Sequence, residues 1–197
     1  MQIVVPATRR TYLDGDSLDG SAPLVFTLDE VMGASECAGL IARCEPLGFA
    51  PAPITTAAGF VMRQDIRNND RVMFDDVALA AELFARIRAQ LPARLFGRRP
   101  VGVNERFRCY RYEPGQRFAP HYDGCFRRSR SERSELTFMV YLNEGFTGGD
   151  TTFLDFAAAV VPRAGMALLF QHQLLHEGAV VESGVKYVLR SDVMYVD

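Results

Sequence analysis

The sequence predicts a mainly β domain, an antiparallel sandwich or barrel, preceded by supporting helices. Three observations carry this reading. After Gly102 the chain breaks into short β-like segments separated by turn signals at Pro114-Gly115, Gly148-Gly149, Pro162 to Gly165 and Ser183-Gly184. Helical periodicity occurs only in the first hundred residues. A length of 197 residues at 48% hydrophobic and 23% charged suffices for one well-buried core and is short for two. Residues 1–197 therefore read as a single domain, with helical and strand support over about 1–100 and a β core over about 101–197.

Residues 23–28 have the composition of a strand. Ser35, ahead of Leu40 and Ile41, is the expected cap of a helix running to about Cys44. From Phe49 to Met73 the pattern is broken by Pro and Gly and then crowded with polar groups, which predicts strand and loop. From Asp75 to about Leu91 a helix returns, because Leu79, Leu83, Ile87 and Leu91 recur four apart on one face and Pro92 follows. Core strands are expected at 103–112, 117–123, 135–142, 151–155, 158–162, 166–171, 174–181 and 185–196. The charged run 127–135 reads as a solvated loop with self-paired charges, and a substrate-contacting lid is the alternative.

Composition narrows the function. A formal charge of −2 gives no global reason to expect nucleic acid or an anionic membrane as partner. The N-terminal residues lack a basic segment followed by an apolar one, and no apolar run approaches the roughly 20 residues of a membrane span. Cys37, Cys44, Cys109 and Cys125 lack the paired spacing of metal or redox motifs, so free thiols in a reducing cytoplasm are expected. Cys125, two residues after Asp123, has an alternative reading as an oxidation-sensitive thiol at the mouth of the site.

The chemistry centres on residues 110–123, which end in His121 and Asp123. Alternate residues of a strand point to one face, so an imidazole and a carboxylate two apart can converge on one point. A second histidine must come from His172 or His176, the only others in the chain. Two histidines and one carboxylate on one side of an ion form the facial triad of non-heme Fe(II) oxygenases, which leaves coordination positions open. Ten residues beyond His176 stands Lys186. A buried ammonium there would be costly without an anion, and it suits the far carboxylate of a dicarboxylate such as 2-oxoglutarate, with the Tyr112 hydroxyl beside it.

Three blocks extend this pattern: Tyr112-x-x-Gly115-Gln116-x-x-x-Pro120-His121-x-Asp123; Thr137-x-x-x-Tyr141-Leu142-Asn143-x-x-Phe146-x-Gly148-Gly149-x-Thr151-x-Phe153; and His176-Glu177-Gly178 through Gly184-x-Lys186-Tyr187. Together they resemble the Fe(II)/2-oxoglutarate dioxygenases of the prolyl 4-hydroxylase type. The resemblance implies a double-stranded β-helix core of the jelly-roll, cupin-like kind. It implies His121, Asp123 and His176 as iron ligands, and Lys186 as the anchor of the 2-oxoglutarate C5 carboxylate. Tyr112 is then expected to bond the co-substrate, and Thr137 and Tyr141 to line the same pocket. His176 is preferred to His172 because it keeps the family spacing to Lys186. Arg190 shares a strand face with Lys186 and is expected to share the carboxylate, to bind substrate, or to form an ion pair with a barrel carboxylate.

The cofactors so implied are Fe(II), with 2-oxoglutarate and O2 as co-substrates and ascorbate as support. Because Asp123 is present, hydroxylation is expected and not halogenation, for which related enzymes carry a small residue there. In prolyl hydroxylases a mobile segment before the core folds over the substrate, and residues 52–72 hold that place. Arg63, Arg67, Asn69 and Arg71 are expected to form the substrate side, against the plainer reading of a solvated loop. The expected activity is hydroxylation of a prolyl or other amino-acid residue, in protein, peptide or free, with release of succinate and CO2. A small-molecule metabolite is the alternative substrate. A non-catalytic metal-binding β-barrel and a zinc hydrolase are the alternatives of other classes, and Lys186 argues against both.

Overall fold

The computed structural model describes residues 1–8, 18–56 and 59–197. Strands β1 (Gln2–Val5) and β2 (Val25–Leu28) precede helix α1 (Ala34–Cys44); β3 (Ala50–Pro51), β4 (Ile54–Thr56), β5 (Gly59–Val61) and β6 (Asp70–Asp75) lead to α2 (Val77–Ile87). Then follow β7 (Arg99–Val103), β8 (Arg106–Tyr112), β9 (Phe118–His121), β10 (Glu132–Tyr141), β11 (Thr147–Gly148) and β12 (Thr151–Phe153). The chain closes with β13 (Ala158–Val160), β14 (Ala167–Gln171), β15 (His176–Gly178), β16 (Val181–Ser183) and β17 (Lys186–Val196).

Two antiparallel sheets carry the site. The larger runs β1-β2-β14-β10-β17-β8-β6-β3, with β7 also on β17, and the smaller runs β13-β12-β15-β9. This is the predicted mainly β architecture, a double-stranded β-helix with helices in support. Strand β17 lies at its centre, paired with β10 on one side and with β8 and β7 on the other. Its alternation sorts side chains between two cores. Leu189, Val193 and Tyr195 join Leu40, Leu83 and Ile87 of the helices in one apolar cluster. Val188 joins Tyr110, Tyr112, Tyr141 and Phe153 in a second.

The helices dock through their apolar stripes. Arg86 of α2 pairs with Glu36 of α1 at 2.6 Å and donates to the carbonyl of Val31 at 2.7 Å. Gly165, at φ +77°, anchors the loop ahead of α1: its carbonyl accepts from the amides of Val31 (2.9 Å) and Met32 (3.2 Å). A Cβ at that position would lie 2.0 Å from the Met32 carbonyl oxygen, so the approach admits only glycine.

Several expectations are corrected. Gly33, not Ser35, caps α1, because the Glu36 carboxylate turns back to accept the Gly33 amide at 2.7 Å. Helix α2 starts after Asp76, whose carboxylate accepts the Leu79 amide at 2.9 Å, and it ends at Ile87, although Leu91 is still buried. Strands β1 and β7 were not expected. The stretch 174–181 divides into β15 and β16, which pair with different partners. The run 127–135 is only half loop, since β10 begins at Glu132. A register shift between Ser134 and Leu136 leaves Glu135 buried, held by Arg133 at 2.6 Å.

Candidate active site

Between the sheets lies a cavity of about 710 Å³. His121 ends β9 and His176 opens β15, and the two are register partners on neighbouring strands, so their rings stand 4.2 Å apart centre to centre. Asp123 follows two residues on, its amide donating to the carbonyl of His172 at 3.0 Å. One ligand atom from each of His121, Asp123 and His176 lies within 4.8 Å of the others. His121 Nε2 stands 3.9 Å from Asp123 Oδ1, and His176 Nε2 stands 3.7 Å from Oδ2.

Backbone carbonyls select the tautomer. Nδ1 of His121 lies 2.8 Å from the Ala119 oxygen and Nδ1 of His176 lies 2.9 Å from the Leu174 oxygen. Each Nδ1 thus carries the proton, and both Nε2 lone pairs turn to the shared point. Burial, with His176 adding, pushes His121 down to about 3, and burial likewise lowers His176. Burial would raise the Asp123 carboxyl, but Arg190 and the nearby histidines hold it well below the usual carboxylate range. Two neutral imidazoles and an ionised carboxylate are the protonation states that a divalent ion requires, so the donor set fits Fe(II).

His172 is not part of this set. Its Nε2 is bonded to Ser134 Oγ at 2.8 Å and its Nδ1 to Thr137 Oγ1 at 2.9 Å, so neither nitrogen is free. It supports Asp123 from behind.

Lys186 lies at the far end of the cavity, 2% exposed, where burial lowers its ammonium to about 8 against the opposing charge of Asp150. It donates to the Gly149 carbonyl and lies 5.2 Å and 5.4 Å from the ring centres of Tyr112 and Tyr141. No carboxylate stands within ion-pair distance of it among the described residues. A buried ammonium with donors to spare fits the far carboxylate of 2-oxoglutarate. Tyr112 lines the cavity beside it, its phenol raised to about 12 by burial.

Other expected residues are placed differently. Thr137 is fully buried and donates to Asp123 Oδ2 at 2.6 Å, so it orients the carboxylate and does not line the cavity. The Tyr141 hydroxyl is committed to Thr151 Oγ1 at 2.7 Å, which leaves its ring as the wall under Lys186. Arg190 lines the cavity but stands with the triad: its Nη2 is 3.2 Å from both Asp123 Oδ2 and Asp192 Oδ1. It is the ion pair to barrel carboxylates and no neighbour of Lys186, since four residues of strand separate the two by about 13 Å.

The segment 52–72 divides similarly, residues 57 and 58 lying outside the described residues. Arg63 is exposed and paired with Asp65 at 2.7 Å, away from the cavity. Arg67 is carried to the site by a bridge with Phe118 and an Ala119 amide bond to the Ile66 carbonyl (2.8 Å). Its guanidinium is buried over the rings of Tyr110 (4.4 Å) and Phe118 (4.3 Å), with Nε donating to Asn69 Oδ1 at 2.8 Å. Asn69 is itself fully buried and positions Arg67; Arg71 lines the cavity. Arg108, Tyr110 and Asp192 also line it and were missed. The period-two alternation that includes Tyr112 and Arg190 extends to them on β8 and β17, so the signal was present.

Residues 107–191 match the family model of the 2OG-Fe(II) oxygenase superfamily. Prolyl 4-hydroxylase 1 of Arabidopsis thaliana is 23% identical over 191 residues, covering 84% of this chain and 67% of the plant protein. A putative prolyl 4-hydroxylase of Acanthamoeba polyphaga mimivirus is 32% identical over 107 residues, covering 45% of this chain and 44% of the viral one. Among solved structures, the viral collagen prolyl hydroxylase of Paramecium Bursaria Chlorella virus-1 in complex with 2OG superposes with a TM-score of 0.60 at 22% identity, over 88% of this chain and 97% of that one. That likeness shows the fold. No helix among the described residues is long and apolar enough to cross a membrane.

Proposed function

We propose that this 2OG-Fe(II) oxygenase, an oxidoreductase of prolyl hydroxylase-like architecture, hydroxylates a prolyl or other amino-acid residue of a peptide or protein. Fe(II) and 2-oxoglutarate are the cofactor and co-substrate that the superfamily implies. His121, Asp123 and His176 would hold the metal, and Lys186, with Tyr112 beside it, would hold the C5 carboxylate. When bound, the iron and 2-oxoglutarate supply the oxidising power, O2 converting 2-oxoglutarate to succinate and CO2 while one oxygen atom enters a C–H bond of the substrate.

The chain's own residues prepare that chemistry. Backbone carbonyls keep the two imidazoles in one tautomer, and Thr137 and Arg190 fix the Asp123 carboxylate. Such supporting contacts are worth about 10 to 100-fold in metal affinity or activity. The stacking of Phe118 on His121, with ring centres 3.5 Å apart, and the edge of Phe170 on His176 at 4.5 Å exclude water from the histidine side. The observation that carries the reading is the presence of the triad and of a buried, carboxylate-free ammonium in one cavity.

Residues 1–197 act as one domain in this reading, since β1 and β2 belong to the same sheet as β17. Ascorbate is expected to sustain turnover by keeping iron reduced. Free Cys37, Cys44, Cys109 and Cys125 support a cytoplasmic location. The test is incubation with Fe(II), ascorbate and 2-oxoglutarate: slow uncoupled succinate formation is expected, and its absence together with absent 2-oxoglutarate binding would refute the assignment. A proteome incubated with the enzyme, compared with one incubated with His121→Ala, should reveal the substrate as a gain of one oxygen mass.

A further inference from the structure

We propose that the substrate carries a carboxylate near the carbon that is hydroxylated, and that Arg71 and Arg108, with Arg67 beside them, bind it. The inference deepens the oxygenase reading and rests on it.

The charge lining the cavity is the first argument. Among the described residues, five basic side chains, Arg67, Arg71, Arg108, Lys186 and Arg190, face only two carboxylates, those of Asp123 and Asp192. Loading the site does not balance them. A divalent iron with Asp123 leaves one positive charge, which the C1 carboxylate of 2-oxoglutarate cancels, and Lys186 takes the C5 carboxylate. Asp192 offsets Arg190, 3.2 Å away. Arg67 and Arg71 are left with no carboxylate, and Arg108 has only the one that Arg190 already uses, Asp192 at 3.8 Å, in a partly buried space where unpaired charge is costly.

Geometry is the second argument. Strand register places Arg71 beside Tyr110, and Arg108 between Met73 and Arg190, all on the cavity face of the large sheet. Arg71 and Arg108 are therefore diagonal neighbours, with Cβ atoms about 7 Å apart, within reach of one shared anion. Arg71 stands two register positions and Arg108 four from the Lys186–Tyr112 pair, so the second anion site is separate from the first. Arg67 is held as a fork: its faces rest on Tyr110 and Phe118, Asn69 pins its Nε, and its buried Nη2 makes no hydrogen bond. A planar guanidinium with its stem fixed and one amino group unpartnered is suited to a carboxylate.

The described residues leave part of each group unsatisfied. Arg108 Nη1 has no hydrogen bond, and its nearest carboxylate oxygen, on Asp192, is 3.8 Å away. Arg71 has no hydrogen bond or ion pair among the described residues. The crowding is felt by its neighbours: burial would raise the Tyr110 phenol, yet Arg67, Arg190 and Arg108 pull it below its ordinary value. Burial, with the like charges of Arg67, Arg108 and Arg190, lowers Arg71.

The carboxylate has two possible sources, an acidic side chain flanking the target in a peptide or the α-carboxylate of a free amino acid. The experiment separates them with matched pairs offered to the Fe(II)- and 2-oxoglutarate-loaded protein. One pair is a proline-centred peptide flanked by glutamates and its glutamine counterpart; the other is free L-proline and L-prolinamide. Substrate-coupled succinate release should favour the acid member of one pair by about tenfold to a hundredfold in kcat/KM, mostly through KM and less so at high salt. Arg71→Gln and Arg108→Gln should each erase most of that preference, and Arg71→Glu should turn it toward a lysine-flanked peptide, a reversal that a merely structural role would not produce. Should a variant fold poorly, binding of the same pairs to wild type with Mn(II) in place of iron gives the same comparison by calorimetry. Equal handling of acid and amide, or binding of neither pair, would overturn the inference and leave the oxygenase reading standing if 2-oxoglutarate still binds. Absence of 2-oxoglutarate binding and succinate release would remove both.

Discussion

Replacing Lys186 by methionine should stabilise the empty protein and cripple it as a receptor for 2-oxoglutarate. The side chain is 2% exposed, and burial has lowered its ammonium from the ordinary 10.5 to about 8, which corresponds to about 3 kcal/mol spent on keeping it charged in the folded state near neutral pH. Methionine fills similar space without that cost, so the ligand-free variant should gain up to about 3 kcal/mol in urea denaturation at about pH 7. The sign of the pH dependence follows from proton counting. Between about 8 and 10.5 the unfolded lysine holds a proton that the folded one has lost, so wild-type stability rises with pH and the advantage of the variant shrinks. Binding runs the other way. Losing one partner of a buried ion pair costs about 3 to 5 kcal/mol, or about a 10² to several 10³-fold weaker Kd for 2-oxoglutarate by calorimetry with Mn(II) in place of iron. The wild-type affinity should itself decline as pH passes about 8. A variant that binds 2-oxoglutarate within a few fold of wild type would refute the assignment of Lys186. A destabilised variant with no pH dependence would refute the account of its burial.

Three further outcomes are expected. Arg190→Gln leaves Asp123 and Asp192 without their shared cation, so the metal-free protein should lose about 3 to 5 kcal/mol. Mn(II), which supplies a cation to Asp123, should narrow that gap, and an equal loss with and without metal would contradict the pairing. Gly165→Ala should cost about 2 to 4 kcal/mol by thermal or chemical denaturation, because its Cβ would meet the Met32 carbonyl in a left-handed backbone conformation. Saturating the triad with Mn(II) at about a hundred times its Kd should add about 2.7 kcal/mol of stability, and His176→Ala should abolish the gain.

The clustering of His121, Asp123 and His176 was legible because it is local and periodic. His121 and Asp123 sit two apart at a strand end, and His176 and Lys186 stand at a spacing that the resemblance fixes. Elements with strong patterns were equally readable, such as β17 and the apolar face of α2. What escaped depends on contacts distant in the chain. Arg63 and Arg67 lie four apart in one polar run, yet one is exposed against Asp65 and the other is buried against Tyr110 and Phe118. No period distinguishes them, because the bridge to Phe118 decides which side chain turns inward. Thr137 was read as lining and proves to be a support, since only the three-dimensional neighbourhood shows its hydroxyl directed at Asp123. Ser35 is the cap that composition suggests, yet Gly33 takes the place because the deciding group is the Glu36 carboxylate turning back on the chain.

Strand β17 places Lys186, Val188, Arg190 and Asp192 toward the cavity and Leu189 and Val193 toward the helices. A ladder mispaired by a single step would send two cations and a carboxylate into an oily interior and turn aliphatic groups toward the triad. The charges that line the cavity thereby also police the assembly of the sheet. A molecule that folds out of step loses its core and its chemistry together, so few inactive copies should survive as stable bystanders.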